Sequence, residues 1–233
     1  MGTIFLVRHG QAAFGTDDYD RLTATGVEQA RHLGEYFARR EMRIDGVLMG
    51  SLTRHRQTAE ALTSALRIHA PQLLDDAAPE VFPALNEYDP RAVIEAHTGQ
   101  ALQPDEAAEA RDPTVVRQHF RLLREALIAW AEAKTEPVGM PTFAKFQRGA
   151  MAVVEGARER FHQGVVVLVT SGGPIGAIVA ATLESPPRVA VELNLRIRNA
   201  SVSEFGGSAK RHHLVTFNTV AHLDSVPHLV TYA

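Results

Sequence analysis

Apolar positions along this chain follow two periodicities that take turns. Thr3-Ile4-Phe5-Leu6-Val7 is a short continuous apolar run, rich in β-branched and aromatic residues, that ends in Arg8-His9-Gly10. Such a run predicts a buried strand that delivers Arg8 and His9 to its C-terminal end. Residues 10–22 are polar and contain glycine, which predicts a loop. Val27, Ala30, Leu33, Phe37 and Ala38 then follow a helical period, with Thr25 and Glu28 placed as a capping box. Gly46-Val47-Leu48-Met49 predicts a short strand. The helix after Ser51 carries Ala59, Leu62, Ala65 and Leu66. This strand–helix–strand–helix opening predicts a three-layer α/β/α sandwich on a mostly parallel sheet.

The pattern changes near residue 88. Residues 88–114 are rich in Pro, Asp, Glu and Ala. Val116, Phe120, Leu123, Leu127 and Trp130 then form one helical stripe, which Pro137 to Pro141 interrupt. Phe143, Phe146, Ala150, Val153, Val154, Ala157 and Phe161 form another. Residues 88–162 therefore read as a helical cap inserted in a single domain spanning 1–233. The two stripes read as core packing rather than as a dimer seam or a cofactor box. Val165 to Thr170 returns to the sheet and runs into Ser171-Gly172-Gly173-Pro174, with Pro174 suited to the first position of a helix. Residues 195–204 and 211–218 predict two strands around Gly206-Gly207. No repeat of 20–50 residues is present.

Composition narrows the chemistry. The net charge of -3 gives no global attraction to nucleic acid or to an anionic membrane, so any phosphate site has to be a local positive pocket. With no cysteine, disulfides, thiolate metal sites and thiol catalysis are excluded. No run approaches the roughly 18 apolar residues of a membrane helix, and no leader pattern precedes the first strand, so a cytoplasmic location is expected. His212 and His213 are adjacent on a predicted strand and point to opposite faces, a poor start for a metal site. The chain has no His-Glu-x-x-His, no phosphate-binding Gly-x-x-x-x-Gly-Lys loop and no Gly-x-Ser-x-Gly. No cofactor and no metal are expected, and nothing in the pattern specifies an oligomer.

Arg8 beside His9 suits an attack on phosphorus. The guanidinium can hold phosphoryl oxygens, and a neutral imidazole is a nucleophile. The other nitrogen of His9 is expected to be held by a backbone carbonyl. Arg54 falls in the first turn of its helix, where an anion is favoured and a guanidinium can grip two oxygens. Gly172 and Gly173 can bring backbone N–H groups close to a phosphate.

Several segments occur in the order found in one known family. Leu6-Val7-Arg8-His9-Gly10-Gln11, Leu22 to Ala30, Ser51 to Ala59, Leu85-Asn86-Glu87, Ser171 to Ile175, Asn199-Ala200-Ser201 and Phe217-Asn218 together span most of the chain. The ordered set resembles the histidine phosphatase superfamily, the phosphoglycerate mutase-like proteins. The resemblance implies that His9 is the nucleophile, that Arg8 and Arg54 clamp the phosphate, and that Glu87 donates the proton. It also implies that Gln11, Ser171 and Gly172 bind substrate. In most relatives a second histidine stands where this chain has Ser171. His55 is one candidate to fill that gap, and a structural histidine is the other reading. The expected activity is metal-independent hydrolysis of a small phosphomonoester through a phosphohistidine, slowed by Ser171. The alternatives are a mutase using the same intermediate and a catalytically weak phospholigand-binding module. The partner expected is a phosphorylated small molecule, selected by the cap and by the loop at 11–21, with neither nucleic acid nor membrane involved.

Overall fold

The computed structural model describes residues 2–13, 20–75, 77–101, 113–208 and 210–232. Residues 14–19 of the predicted loop and 102–112 of the predicted cap lie outside the described residues. Two apolar runs pair at the centre: β1 (Gly2–Arg8) and β4 (Val165–Thr170) are parallel neighbours, with Thr3 opposite Val165 and Arg8 opposite Thr170. The other strands are β2 (Gly46–Met49), β3 (Glu80–Val81), β5 (Val202–Ser208) and β6 (Arg211–Thr219). They form a mixed sheet in the order β3-β2-β4-β1-β5-β6. The four strands from β3 to β1 are parallel, β5 runs antiparallel to β1, and β6 antiparallel to β5.

The side-chain alternation of β1 and β4 makes the layers. Phe5, Val7, Val167 and Val169 face α1 (Ala24–Arg39) and α2 (Thr53–His69), meeting Leu33, Phe37, Leu62 and Leu66. Ile4, Leu6, Val166 and Leu168 face the other way, against α5 (Phe143–Arg160) and α6 (Gly172–Thr182). Both faces are covered, which is why these strands are continuously apolar. Within residues 88–162, α5 lies directly on the sheet. By contrast, α3 (Pro90–Thr98) and α4 (Pro113–Ala131) share a cluster with α7 (Pro187–Asn194). Trp130 sits in that cluster against Tyr88, Phe143 and Phe146, and its indole N–H donates to the Pro141 carbonyl at 3.2 Å. No helix among the described residues is long and apolar enough to cross a membrane.

Four local expectations are corrected. The cap of α1 is Thr23, whose hydroxyl accepts from Gly26 N at 3.1 Å; the pair Thr25 and Glu28 lies inside the helix. Pro174 is in the first turn of α6 but third in it, since the helix begins at Gly172 with Ser171 as its cap residue. The strand expected at 195–204 begins only at Val202, because α7 runs to Asn194 and Ala200 turns the chain through φ 54. Gly206 and Gly207 lie within β5 rather than in a turn. A Cβ on Gly207 would stand 2.3 Å from the Arg211 carbonyl, so β6 can approach only a glycine there. The α3 helix escaped notice because its nine residues are too few for a periodic stripe; Asp89 caps it, accepting from Arg91 N and Ala92 N.

The C-terminal segment packs on α1 and buries His222 beside Tyr36. Burial pushes the His222 imidazole down to about 4, with the charges of His32 and Arg39 acting the same way. Its folded pKa is below the unfolded value of 6.5, so the unfolded chain binds more protons between those two pH values. Stability is then full above 6.5 and is lost as pH falls toward 4. At pH 5 the loss from this residue is about 2 kcal/mol. His222→Leu should reduce by that amount the difference in urea unfolding free energy between pH 7 and pH 5. An unchanged difference would contradict this assignment.

Candidate active site

The register of β1 with β4 puts His9 and Ser171 side by side, each one residue beyond its strand. His9 N donates to the Thr170 carbonyl at 2.9 Å. On the other side of β4, Met49 pairs with Val169, and the chain leaves β2 through Gly50 into α2, where Arg54 is the second residue. Arg8, His9, Arg54, His55 and Ser171 are all buried at this carboxyl edge of the sheet, the edge at which open α/β sheets place ligands.

His9 Nδ1 is 2.7 Å from the Gly10 carbonyl oxygen. A carbonyl only accepts, so Nδ1 carries the hydrogen and Nε2 keeps the lone pair. Burial holds the imidazole pKa well below its ordinary value, and the charges of Arg8 and Arg54, with His55, push the same way against the Gly10 bond. His9 is therefore neutral at pH 7, the nucleophilic form. The loop behind it is tied to α2: Gly10 N donates to the Thr58 hydroxyl at 3.1 Å, and that hydroxyl donates to the Arg54 carbonyl at 2.7 Å.

Both guanidinium groups are oriented by other parts of the chain. Arg8 Nη1 donates to the Ile197 carbonyl. Arg54 Nη1 donates to Asp20 Oδ1 at 2.8 Å, and the other oxygen of Asp20 accepts from Thr53 N at 2.8 Å. Leu52, the cap residue of α2, has no polar side-chain atom to accept a hydrogen bond, so Asp20 caps the helix from the loop and sets Arg54 at once. Burial opposes ionisation of Asp20, but the Thr53 amide and the Arg54 charge outweigh it and hold the carboxyl below its ordinary value. The sequence reading missed both Asp20 and Thr58. Asp20 sits in a polar loop where no periodicity singles it out; Thr58 was visible only as part of the Ser51 to Ala59 motif.

Glu87 lies at the start of α6, with both carboxylate oxygens accepting from Gly173 N at 3.1 and 3.2 Å. A Cβ on Gly173 would stand 2.1 Å from Glu87 Oε1, so glycine is required for this approach. The Gly173 amide is thus directed to Glu87 rather than to an open phosphate seat. The residue is only partly buried overall, yet its carboxyl is crowded by protein. Removal from water raises its pKa, against the Gly173 and Tyr88 amides and the charges of Arg54 and Arg8. Its segment is fastened to β4 by the Thr170 hydroxyl, which donates to the Leu85 carbonyl at 2.6 Å.

The rings of His55 and His9 are 5.8 Å apart, and His55 Nε2 is 2.7 Å from Ser171 Oγ. Gln11 is built into the start of α1: its backbone N–H donates to Gln29 Oε1 at 2.8 Å, and its side-chain oxygen accepts from the Thr23 hydroxyl at 2.9 Å. Arg8, His9, Arg54, Glu87 and Ser171 therefore gather at one place, whereas the side-chain oxygen of Gln11 is turned toward Thr23. Among the described residues, no three His, Asp or Glu side chains are grouped to hold a metal ion.

The parallel part of the mixed sheet thus brings two arginines, a neutral histidine and a carboxyl whose pKa burial raises to one edge of an α/β fold, groups suited to a phosphoryl ligand. The family model of the histidine phosphatase superfamily (branch 1) matches residues 4–113 and 106–220, and the chain belongs to that superfamily. Solved structures share the fold. Entamoeba histolytica phosphoserine phosphatase, crystallised with phosphoserine, is 16% identical with a TM-score of 0.64, over 96% of this chain and 100% of that one. The Bacillus stearothermophilus protein YhfR is 17% identical with a TM-score of 0.66, over 96% and 100%. A mycobacterial glucosyl-3-phosphoglycerate phosphatase is 22% identical with a TM-score of 0.60, over 93% and 98%. No curated protein sequence matches.

Proposed function

We propose that the protein is a metal-independent phosphatase that hydrolyses a small phosphomonoester through a phosphohistidine on His9. The observation that carries this reading is the state of His9: neutral, Nδ1–H committed to the Gly10 carbonyl, Nε2 left with its lone pair, and both Arg8 and Arg54 beside it. Nε2 attacks phosphorus as the bond to the leaving oxygen breaks, and Glu87 gives that oxygen its proton. Arg8 and Arg54 hold the equatorial oxygens, where the charge spreads. The Glu87 carboxylate then takes a proton from water, the hydroxide attacks phosphorus, and the P–N electrons return to Nε2. The raised pKa of Glu87 supports its part, since an acid must be protonated before the bond breaks. Membership of the superfamily supports the same chemistry. The substrate class is supported by one structural neighbour, the Entamoeba histolytica phosphoserine phosphatase, solved with phosphoserine and with 3-phosphoglyceric acid.

A panel of phosphorylated metabolites, assayed for released phosphate with and without a chelator, tests the proposal. Phosphate release that the chelator leaves untouched is expected. Transfer between hydroxyls of one substrate without release would make the protein a mutase instead. Saturable binding of phosphate esters with no turnover would make it a binding module.

A further inference from the structure

Ser171 and His55 are fully buried, and Nε2 and Oγ, 2.7 Å apart, are in contact well inside the protein. The ring fits because residue 50 is glycine: a Cβ there would lie 2.2 Å from His55 Nδ1. Nδ1 has no hydrogen-bond partner among the described residues. A neutral imidazole has one N–H, and its position decides what Ser171 can do. Placed on Nδ1, it would be a buried donor with no partner among the described residues, bearing the full cost of its lost hydration. Placed on Nε2, it meets Ser171 Oγ and leaves only a lone pair unsatisfied. Orphaned buried N–H groups are the rarer of the two in folded proteins. The Nε2–H form is therefore favoured, and Ser171 Oγ accepts from His55. The hydroxyl proton of Ser171 then has to point elsewhere, and Ser171 stands beside His9 at the sheet edge, where the His9 N–H meets the Thr170 carbonyl and the two imidazole rings are 5.8 Å apart.

We propose that His55 is a positioning residue: by donating Nε2–H to Ser171 it aims the serine hydroxyl proton at a phosphoryl oxygen, and the pair works as one uncharged donor. This rests on the phosphatase reading, which supplies the oxygen. The groups facing His55 agree with a permanently neutral ring. Burial lowers its pKa to about 3, helped by the Arg54 charge and opposed by Asp20.

Four variants, Ser171→Ala, His55→Ala, His55→Gln and the double alanine, test the pair. Loss of one preorganised donor predicts a fall of about 10²–10³-fold in kcat for Ser171→Ala with little change in KM. His55→Ala should fall about as far, and the double variant no further, because the two act as a unit. His55→Gln puts an amide N–H near the position of Nε2 and should recover part of the loss. Orthovanadate, a mimic of five-coordinate phosphorus, should bind more weakly in the same pattern. Nitrogen-15 NMR of the folded wild type should show the hydrogen of His55 on Nε2. Losses that add in the double variant, or an Nδ1–H signal, would overturn the proposal. The vanadate and NMR measurements do not need turnover. A wild type that hydrolyses nothing would therefore fail the phosphatase reading while the pairing of His55 with Ser171 is still decided.

Discussion

His9→Ala should abolish turnover, with a loss on the order of 10⁶-fold, the size seen when a covalent nucleophile is removed. The size follows from the geometry of His9. Among the described residues at this edge, no other histidine keeps an open Nε2 lone pair beside Arg8 and Arg54. His55 is committed to Ser171, and Asp20 to Arg54 and Thr53. Wild type quenched during turnover should carry phosphate on His9 that is stable to base and lost in acid, as a phosphoramidate is; the alanine variant should carry none. The variant should still fold, since the His9 backbone bonds to Thr170 and Ala200 do not involve the ring. A folded His9→Ala protein with surviving turnover would remove His9 from the role of nucleophile.

Glu87→Gln should slow alkyl phosphates by about 10²–10⁴-fold, the usual worth of a general acid. Aryl phosphates with good leaving groups, which depart without a proton, should lose less than about 10-fold in kcat/KM, which ends at their departure and so excludes the later step in which Glu87 takes a proton from water. Glutamine keeps the oxygen that accepts from Gly173 N, so the substitution removes the proton and little else. The pH dependence has a definite sign. His9 must be neutral, so activity falls as pH drops through its pKa, which burial has moved below 6.5. Glu87 must be protonated, so activity on alkyl substrates falls as pH rises through a pKa that burial has moved above 4.5. In Glu87→Gln the alkaline limb should disappear while the acid limb stays. Equal losses in kcat/KM for alkyl and aryl substrates would give Glu87 a binding or structural role instead.

Much of the site was legible in the chain because strand ends are local features. A buried strand is a run of apolar residues, and the first polar residues after it stand at the edge of the sheet. Arg8, His9 and Ser171 were placed in this way, and Arg54 by its position in the first turn of α2. Glu87 was legible only through the likeness of Leu85-Asn86-Glu87 to a known motif; no periodicity marks it.

Sequence alone determined which segments become the central strands, which residues stand at their ends, and that no thiol takes part. Each of these depends on residues within a few positions of one another, or on composition. Tertiary structure decided what those residues can do. The order β2-β4-β1 brings His9 and Ser171 together and carries Arg54 to them. Asp20 reaches across to Arg54 at a separation of 34 residues, Thr58 to Gly10 at 48, and His55 to Ser171 at 116. The protonation states of His9 and Glu87 depend on how far the packed chain removes them from water, and on charges that packing sets beside them. Contacts between residues so far apart leave no period in the chain, and desolvation exists only once the layers have closed over the group.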